Sequence, residues 1–434
     1  MREFLARPRP EGNRSLASGV LSAVACVGPA AVSSTSSEIA YLRTARAVRE
    51  RSALLAGRAF AGGSECFVVR PELQPAVVDR VVRTVRAMCP LLDAPLHGRL
   101  RHFDAGGRRR THDLDARLIH LDVVERARAK VDLVVPSVLL DAGAGPDWGF
   151  SEDGVRYTRS EGLAVASLRL FESGALSASG ADLRTEADGI VNIDVARLAA
   201  AFQVGAENPL VGLGGRAAML GALGRALLAR PDLFRGARPG GLVDWALEQA
   251  RQGELSAMVV LEAILEGLAA VWPGRVRLNG DPLGDTWSHP ALGHGSGALV
   301  PFHKLSQWLT MSLVEPLLEA GLVLTDLDSL TPLAEYRNGG LLLDLGVLEL
   351  RDEGLRRQPH TIDSPVVVEW RALTVALLDP IVAAVGAALG LEPRAVRTSN
   401  LLAWATWAAG REVAREARPD GGPPLPLVSD GTVF

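Results

Sequence analysis

The stretch LTPLAEYRNGGLLLDLGVLELRD, residues 330–352, sets Glu335, Arg337, Asn338 and Asp344 inside otherwise apolar, leucine-rich sequence. Taking an ionised carboxylate out of water costs several kcal/mol unless it is paired. An acid, a base and an amide packed beside two glycines therefore mark a place where function outweighs that cost. Two neighbouring segments repeat the pattern. PFHKLSQWLTMSL (301–313) carries Lys304, one of only two lysines in the chain, and VVVEWRALTVALL (366–378) carries Glu369 and Arg371 in a solid apolar run.

Outward from these segments, a hydrophobic period near 3.6 dominates. Ser37 as N-cap opens a helix to about 57, Pro71 opens another to about 88, and further helices are predicted at about 115–130, 158–173, 209–229, 254–270, 298–320, 364–389 and 393–416. Strand signals are confined to short runs around Val155–Thr158, Gly189–Ile193 and Val276–Leu278. No polar linker after residue 40 is long enough to separate two cores, and no internal repeat is present. The chain therefore reads as mainly α, a single large helical domain over 38–418 with a few short strands. Residues 1–37, arginine-rich and then rich in small residues, are expected to form a disordered leader, because Gly19 and Pro29 break what would otherwise resemble a secretory signal. Pro and Gly content from 419 to 434 predicts an extended C-terminal tail on the surface.

With 434 residues and 48% hydrophobic content the chain can bury a sizeable core. A formal charge of −4 offers no field for a polyanion, and the basic run Arg108–Arg110 is short and glycine-flanked, so no nucleic-acid partner is expected. No window reaches the roughly 18 uninterrupted apolar residues of a bilayer span, and no membrane partner is expected. Cys26, Cys66 and Cys89 form neither a disulfide framework nor a zinc motif, as in a reducing, cytoplasmic setting. Oligomeric state has no signature in the sequence.

The candidate site residues come from four segments. On a helical wheel Phe302, Leu305, Leu309 and Leu313 form one stripe, while Lys304, Gln307 and Met311 fall opposite, beside Trp308. That second face is either solvated or the wall of a cleft, where an ammonium could hold a substrate oxygen or tune a carboxylate. Glu335, Asp344 and Glu369 supply more acids than Arg337 and Arg371 need, so either an ion pair is buried or a surplus carboxylate is protonated or ready for a ligand. DAGAGPDWGF (141–150) offers Asp141 and Trp148, and the helix after it opens with Ser160 and Glu161. This loop either lays an aromatic across a planar ligand or caps the core. NPLVGLGGR (208–216) puts Arg216 early in a helix, suited to an anion or to packing. His289, His294 and His303 near Asp281 and Asp285 match no helical metal spacing, and no metal or other cofactor is expected.

EYRNGGLL (335–342) with LGVLE (345–349), PFHKLSQWL, NPLVGLGGR, RSEGLAVASLRLF, DAGAG followed by Trp148, and GDPLGDTWSH (280–289) together resemble the URC/urg-type proteins of uracil catabolism, a family long described as a domain of unknown function. A more distant similarity is to queuosine salvage nucleoside glycosidases, through Lys304 and Gln307, Glu335–Arg337, Gly346–Leu348 and Glu369–Arg371; Glu335 stands where those proteins tend to have Asp. The resemblance implies a DNA-glycosylase-like helical fold and a small ribosyl substrate. It implies N-glycoside hydrolysis of ribosylurea or its 5′-phosphate, to urea and ribose or ribose 5-phosphate. Glu335, Lys304 and Glu369 would then be catalytic. Arg337, Asn338, Gln307, Asp344, Arg371, Asp141, Trp148, Glu161 and Trp308 would bind substrate. The competing reading is a non-catalytic nucleoside-binding or assembly protein of the same pathway.

Overall fold

The protein is mainly α. The computed structural model describes residues 35–92, 96–191, 193–272, 275–391, 396–429 and 431, and of Thr35 and 396–400 the backbone alone. Among these residues are sixteen α-helices and twelve strands of two to four residues, the strands joined only in six isolated pairs. The expected leader lies outside the described residues except for its last three, which begin the helix Thr35–Leu42.

Caps and turns divide several predicted helices. Thr44 accepts from Ala47 N and starts Ala45–Phe60 after a break, so the expected 37–57 helix is two helices. Asp122 accepts from Glu125 N at 2.8 Å and starts Val123–Leu139, separating it from Arg110–Leu118. Ser256 caps Ala257–Gly267, leaving Glu254–Ser256 to pair in parallel with Val323–Thr325. Leu299–Pro301 pairs with Thr286–Ser288, and only after the left-handed turn at His303 does the helix Lys304–Glu319 begin. Val155–Thr158 is a strand, paired with Gly149–Glu152. Gly189–Ile193 is not a strand: Ala187–Ile190 is a helical turn, and a Cβ on Gly189 would lie 2.3 Å from the Leu176 carbonyl, an approach only glycine permits.

The fold's centre is the short helix Tyr336–Asp344, which packs against Pro365–Leu389 on one side and Val396–Ala417 on another. Gly339 and Gly340 serve close approach here, not unusual backbone angles. A Cβ on Gly339 would fall 2.6 Å from Trp370 Nε1, and one on Gly410 of the third helix 2.3 Å from Arg337 O. Pro365–Leu389 is long and apolar enough to cross a bilayer by length and composition, yet it is packed against Ala45–Phe60 and Gln74–Met88, with Glu369 and Arg371 on it buried.

The C-terminal segment departs from the expected surface tail. Leu425 is fully buried, and Leu427–Val428 pairs in parallel with His360–Thr361. Arg418 grips both oxygens of Asp344, and Arg337 donates to Gly421 O at 2.5 Å. A segment of low secondary-structure propensity is thus held by two arginines and becomes a wall of the site.

Candidate functional site

Tyr336–Asp344 and Val396–Ala417, together with Lys304–Glu319, the start of the helix Arg159–Glu172, the 141–146 loop and the C-terminal segment, line a cavity of about 490 Å³, with Asp141, Ser160, Lys304, Trp308, Glu335 and Asn338 among its walls. Its size is that of a small-molecule site. Glu335 is the N-cap of Tyr336–Asp344, and its two oxygens accept from Arg337 N at 2.8 Å and Asn338 N at 2.6 Å. The orphan amides of a helix start thereby lock one carboxylate in place. Burial drives its pKa upward against those two bonds and the charges of Lys304 and Arg337, and burial prevails.

Lys304 is the first residue of its helix, and its backbone N–H donates to Asp285 Oδ2 at 3.0 Å. Its ammonium makes no ion pair or side-chain hydrogen bond among the described residues, although Asp141 and Glu335 both act on it electrostatically. Enclosure lowers its pKa, opposed chiefly by Asp141 and then Glu335. Asp141 is fixed through one oxygen: Oδ1 meets Arg99 Nη1 at 2.8 Å and accepts from Ser160 Oγ at 2.6 Å. Its Oδ2 has no hydrogen-bond partner among the described residues.

Beside these charges stands an aromatic box. His97 lies 5.3–6.1 Å, centroid to centroid, from His102, Trp308, Trp404 and Trp407, and His102 lies 5.4 Å from Trp308. Burial, then the charges of Arg99 and Arg411, push the His102 pKa down to about 3, so the ring is neutral at physiological pH. Three polar atoms of lining residues, Trp308 Nε1, His102 Nε2 and Asn338 Oδ1, are buried without a partner among the described residues. Such atoms are expensive when left unpaired.

Of the expected site residues, the structure brings Glu335, Lys304, Asn338, Asp141 and Trp308 into the cavity lining. The other seven lie outside it. Arg371 clamps both Asp285 oxygens at 2.8 Å and donates from Nε to Ala334 O, a scaffold holding the start of the Glu335 segment. Gln307 is satisfied at both ends by Phe302 O and Thr331. Asp344 is paired with Arg418, and Arg337 with Gly421 O. Glu369 is buried beside Ser64 and Cys66, which hydrogen-bond to it. Trp148 is fully buried and donates to Phe202 O at 3.0 Å, so its ring caps the core, while Asp141 and Gly143–Pro146 of the same loop line the cavity. Glu161 pairs with Arg411 at 2.6 Å. Arg216 binds no anion either: buried, it donates to the carbonyls of Leu140, Ala142 and Gly143 and so shapes the turn that presents Asp141.

Residues 41–434 match the family described as protein of unknown function DUF1688. Two curated relatives are similar over most of their length. "Uracil catabolism protein 4" of Lachancea kluyveri is 38% identical over 376 residues, 78% of this chain and 85% of that protein. "Protein urg3" of Schizosaccharomyces pombe is 37% identical over 409 residues, 91% of this chain and 99% of that one. The chain belongs to the DUF1688 family.

Sequence reasoning missed His97, Arg99, His102, Tyr336, Trp404, Trp407 and the C-terminal wall. The signal available was HGRLRHF (97–103), two histidines around a buried arginine, and the pair of tryptophans three residues apart at 404 and 407, which share one helix face.

Proposed function

We propose that this member of the DUF1688 family acts in uracil catabolism as an N-glycoside hydrolase, cleaving ribosylurea or its 5′-phosphate to urea and ribose or ribose 5-phosphate. The observation that carries the reading is the Glu335 carboxylate, locked by two backbone amides and lining a cavity with a second carboxylate, Asp141, and with the Lys304 ammonium, which has no ion-pair partner among the described residues. The names of the two relatives support the pathway.

Breaking the C1′–N bond builds positive charge on the sugar. A carboxylate fixed beside C1′ stabilises that charge more in the transition state than in the ground state. Glu335 takes this role and accepts a proton from the attacking water, whose oxygen bonds to C1′. The departing ureide nitrogen takes a proton from Lys304, which regains it from Glu335, so that water is consumed and both residues are restored. Enclosure raises the Glu335 pKa and lowers that of Lys304, which brings the two closer and suits proton exchange between them. The aromatic box, with Trp308 Nε1 and Asn338 Oδ1, receives the planar ureide. Asp141 holds a sugar hydroxyl through its open oxygen.

Glu335→Gln is the test. Urea release should be abolished while ligand affinity stays within about tenfold, roughly 1.4 kcal/mol. Wild-type protein that binds ribosylurea and its phosphate but releases urea from neither would establish the non-catalytic binder instead.

A further inference from the structure

Around the more exposed part of the cavity arginines outnumber acids. Arg159 lines the cavity and donates from Nη2 to Asp420 O at 3.0 Å, with the Asp420 carboxylate 3.7 Å away. Arg411 lies 5.5 Å from the ring centroid of Trp407, a lining residue, and pairs with Glu161. Arg337 lies 5.0 Å from the ring centroid of Tyr336, also lining. Arg415 is exposed, its stem passes within 3.0 Å of where a Cβ on Gly421 would stand, and it makes no ion pair or hydrogen bond among the described residues. Four guanidiniums therefore face two carboxylates, Glu161 and Asp420. Their crowding is felt: repulsion from Arg411 is the leading cause of a lowered Arg415 pKa.

In the buried part Asp141 and Glu335 are balanced by Lys304 and by Arg99, which pairs with Asp141. The surplus of positive charge therefore lies with the outer arginines, which draw an anionic substituent and so orient a ligand that has a reacting end and an anionic end. We infer that Arg159, Arg411 and Arg415 hold a phosphate monoester, and that the phosphorylated ribosyl compound is the favoured substrate over the free one. Guanidinium forks suit phosphate oxygens, and a cavity of about 490 Å³ has room beyond a ribosyl ureide. The inference rests on the proposed function for the identity of the sugar, not for its cleavage.

Calorimetric binding of ribose 5-phosphate against ribose tests the subsite without catalysis. The phosphate should bind at least about tenfold tighter at low salt, and the preference should fall as salt rises. Arg415→Ala, at an exposed position, should cut the preference at least about threefold with the thermal midpoint and the affinity for ribose unchanged; Arg159→Ala with Arg415→Ala should remove most of it. Equal affinities for the two sugars, or a preference untouched in the double variant, would overturn the inference. Urea release is then assayed on both ribosyl compounds. Release at equal kcat/KM from the two overturns the inference and leaves the glycosidase standing. Phosphate-selective binding with no urea release from either does the opposite.

Discussion

Asp285→Asn isolates the scaffold beneath the site. Asp285 is buried, accepts both Arg371 Nη groups at 2.8 Å, and also accepts from Trp287 Nε1 and from the first amide of the Lys304 helix. Burial alone would raise its pKa, but the Arg371 charge and these hydrogen bonds overcome it and hold the carboxyl at about 2 against an ordinary 3.8. That depression corresponds to roughly 2–3 kcal/mol of folding free energy at neutral pH. Breaking a buried pair from one side typically costs about 3–5 kcal/mol, and asparagine keeps one acceptor oxygen, so the expected loss is about 2–4 kcal/mol. Because the folded-state pKa lies below the unfolded one, the contribution is complete above about pH 5 and is lost as pH falls through 4 towards 2; by pH 3 about half has gone. Urea unfolding of wild type and variant, followed by tryptophan fluorescence at pH 7 and pH 3, should show a gap that narrows by about 1 kcal/mol at the lower pH. A gap under about 0.5 kcal/mol at pH 7, or one that does not narrow, would refute the reasoning.

Three further outcomes follow from the packing and the charges. Gly410→Ala puts a methyl 2.3 Å from the Arg337 carbonyl, which is backbone and cannot swing away; the variant should lose about 1–3 kcal/mol or more in thermal or urea unfolding, and an unshifted midpoint would contradict the close helix contact. Lys304→Met should keep the wild-type unfolding midpoint, since no ion pair is lost, while urea release disappears. In the wild-type profile the acid limb should lie above the ordinary carboxylate value of 4.5 and the alkaline limb below the ordinary lysine value of 10.5, because enclosure raises Glu335 and lowers Lys304.

The helical class was legible because long periodic segments such as 74–88 and 396–417 leave few alternatives. The boundaries were less so. The 37–57 and 115–130 periods run straight through real breaks, because a cap such as Thr44 or Asp122 acts through one side chain and leaves the apolar pattern intact. Glu335–Asp344 was recognised as charged sequence in apolar company, but its helix was hidden by two glycines whose reason, contact with Trp370 and Pro424, lies far along the chain. The C-terminal wall was illegible for the same kind of reason: Pro419–Ser429 has the composition of a surface tail, and much of what binds it inward, Arg159, Arg337 and the strand His360–Thr361, lies far back along the chain.

A charge in apolar sequence signals burial but does not say whether the burial serves folding or chemistry, and the count of partners separates the two. Arg371, Asp344, Gln307 and Arg216 have their hydrogen-bonding capacity taken up by protein groups, and each fixes a segment that carries or encloses the site. Lys304 and Asp141 Oδ2 have capacity left over among the described residues, as do Asn338 Oδ1 and Trp308 Nε1, and all of these belong to residues that line one cavity. Unpaired buried polar groups cost about 1–3 kcal/mol each. Among the described residues such atoms also occur away from the cavity, as at Ser52 Oγ, Trp272 Nε1 and Glu315 Oε2, so what sets this place apart is that they stand beside the uncommitted Lys304 ammonium and Asp141 Oδ2. A ligand that pairs with them would recover that cost on binding, most fully where charge develops beside Glu335.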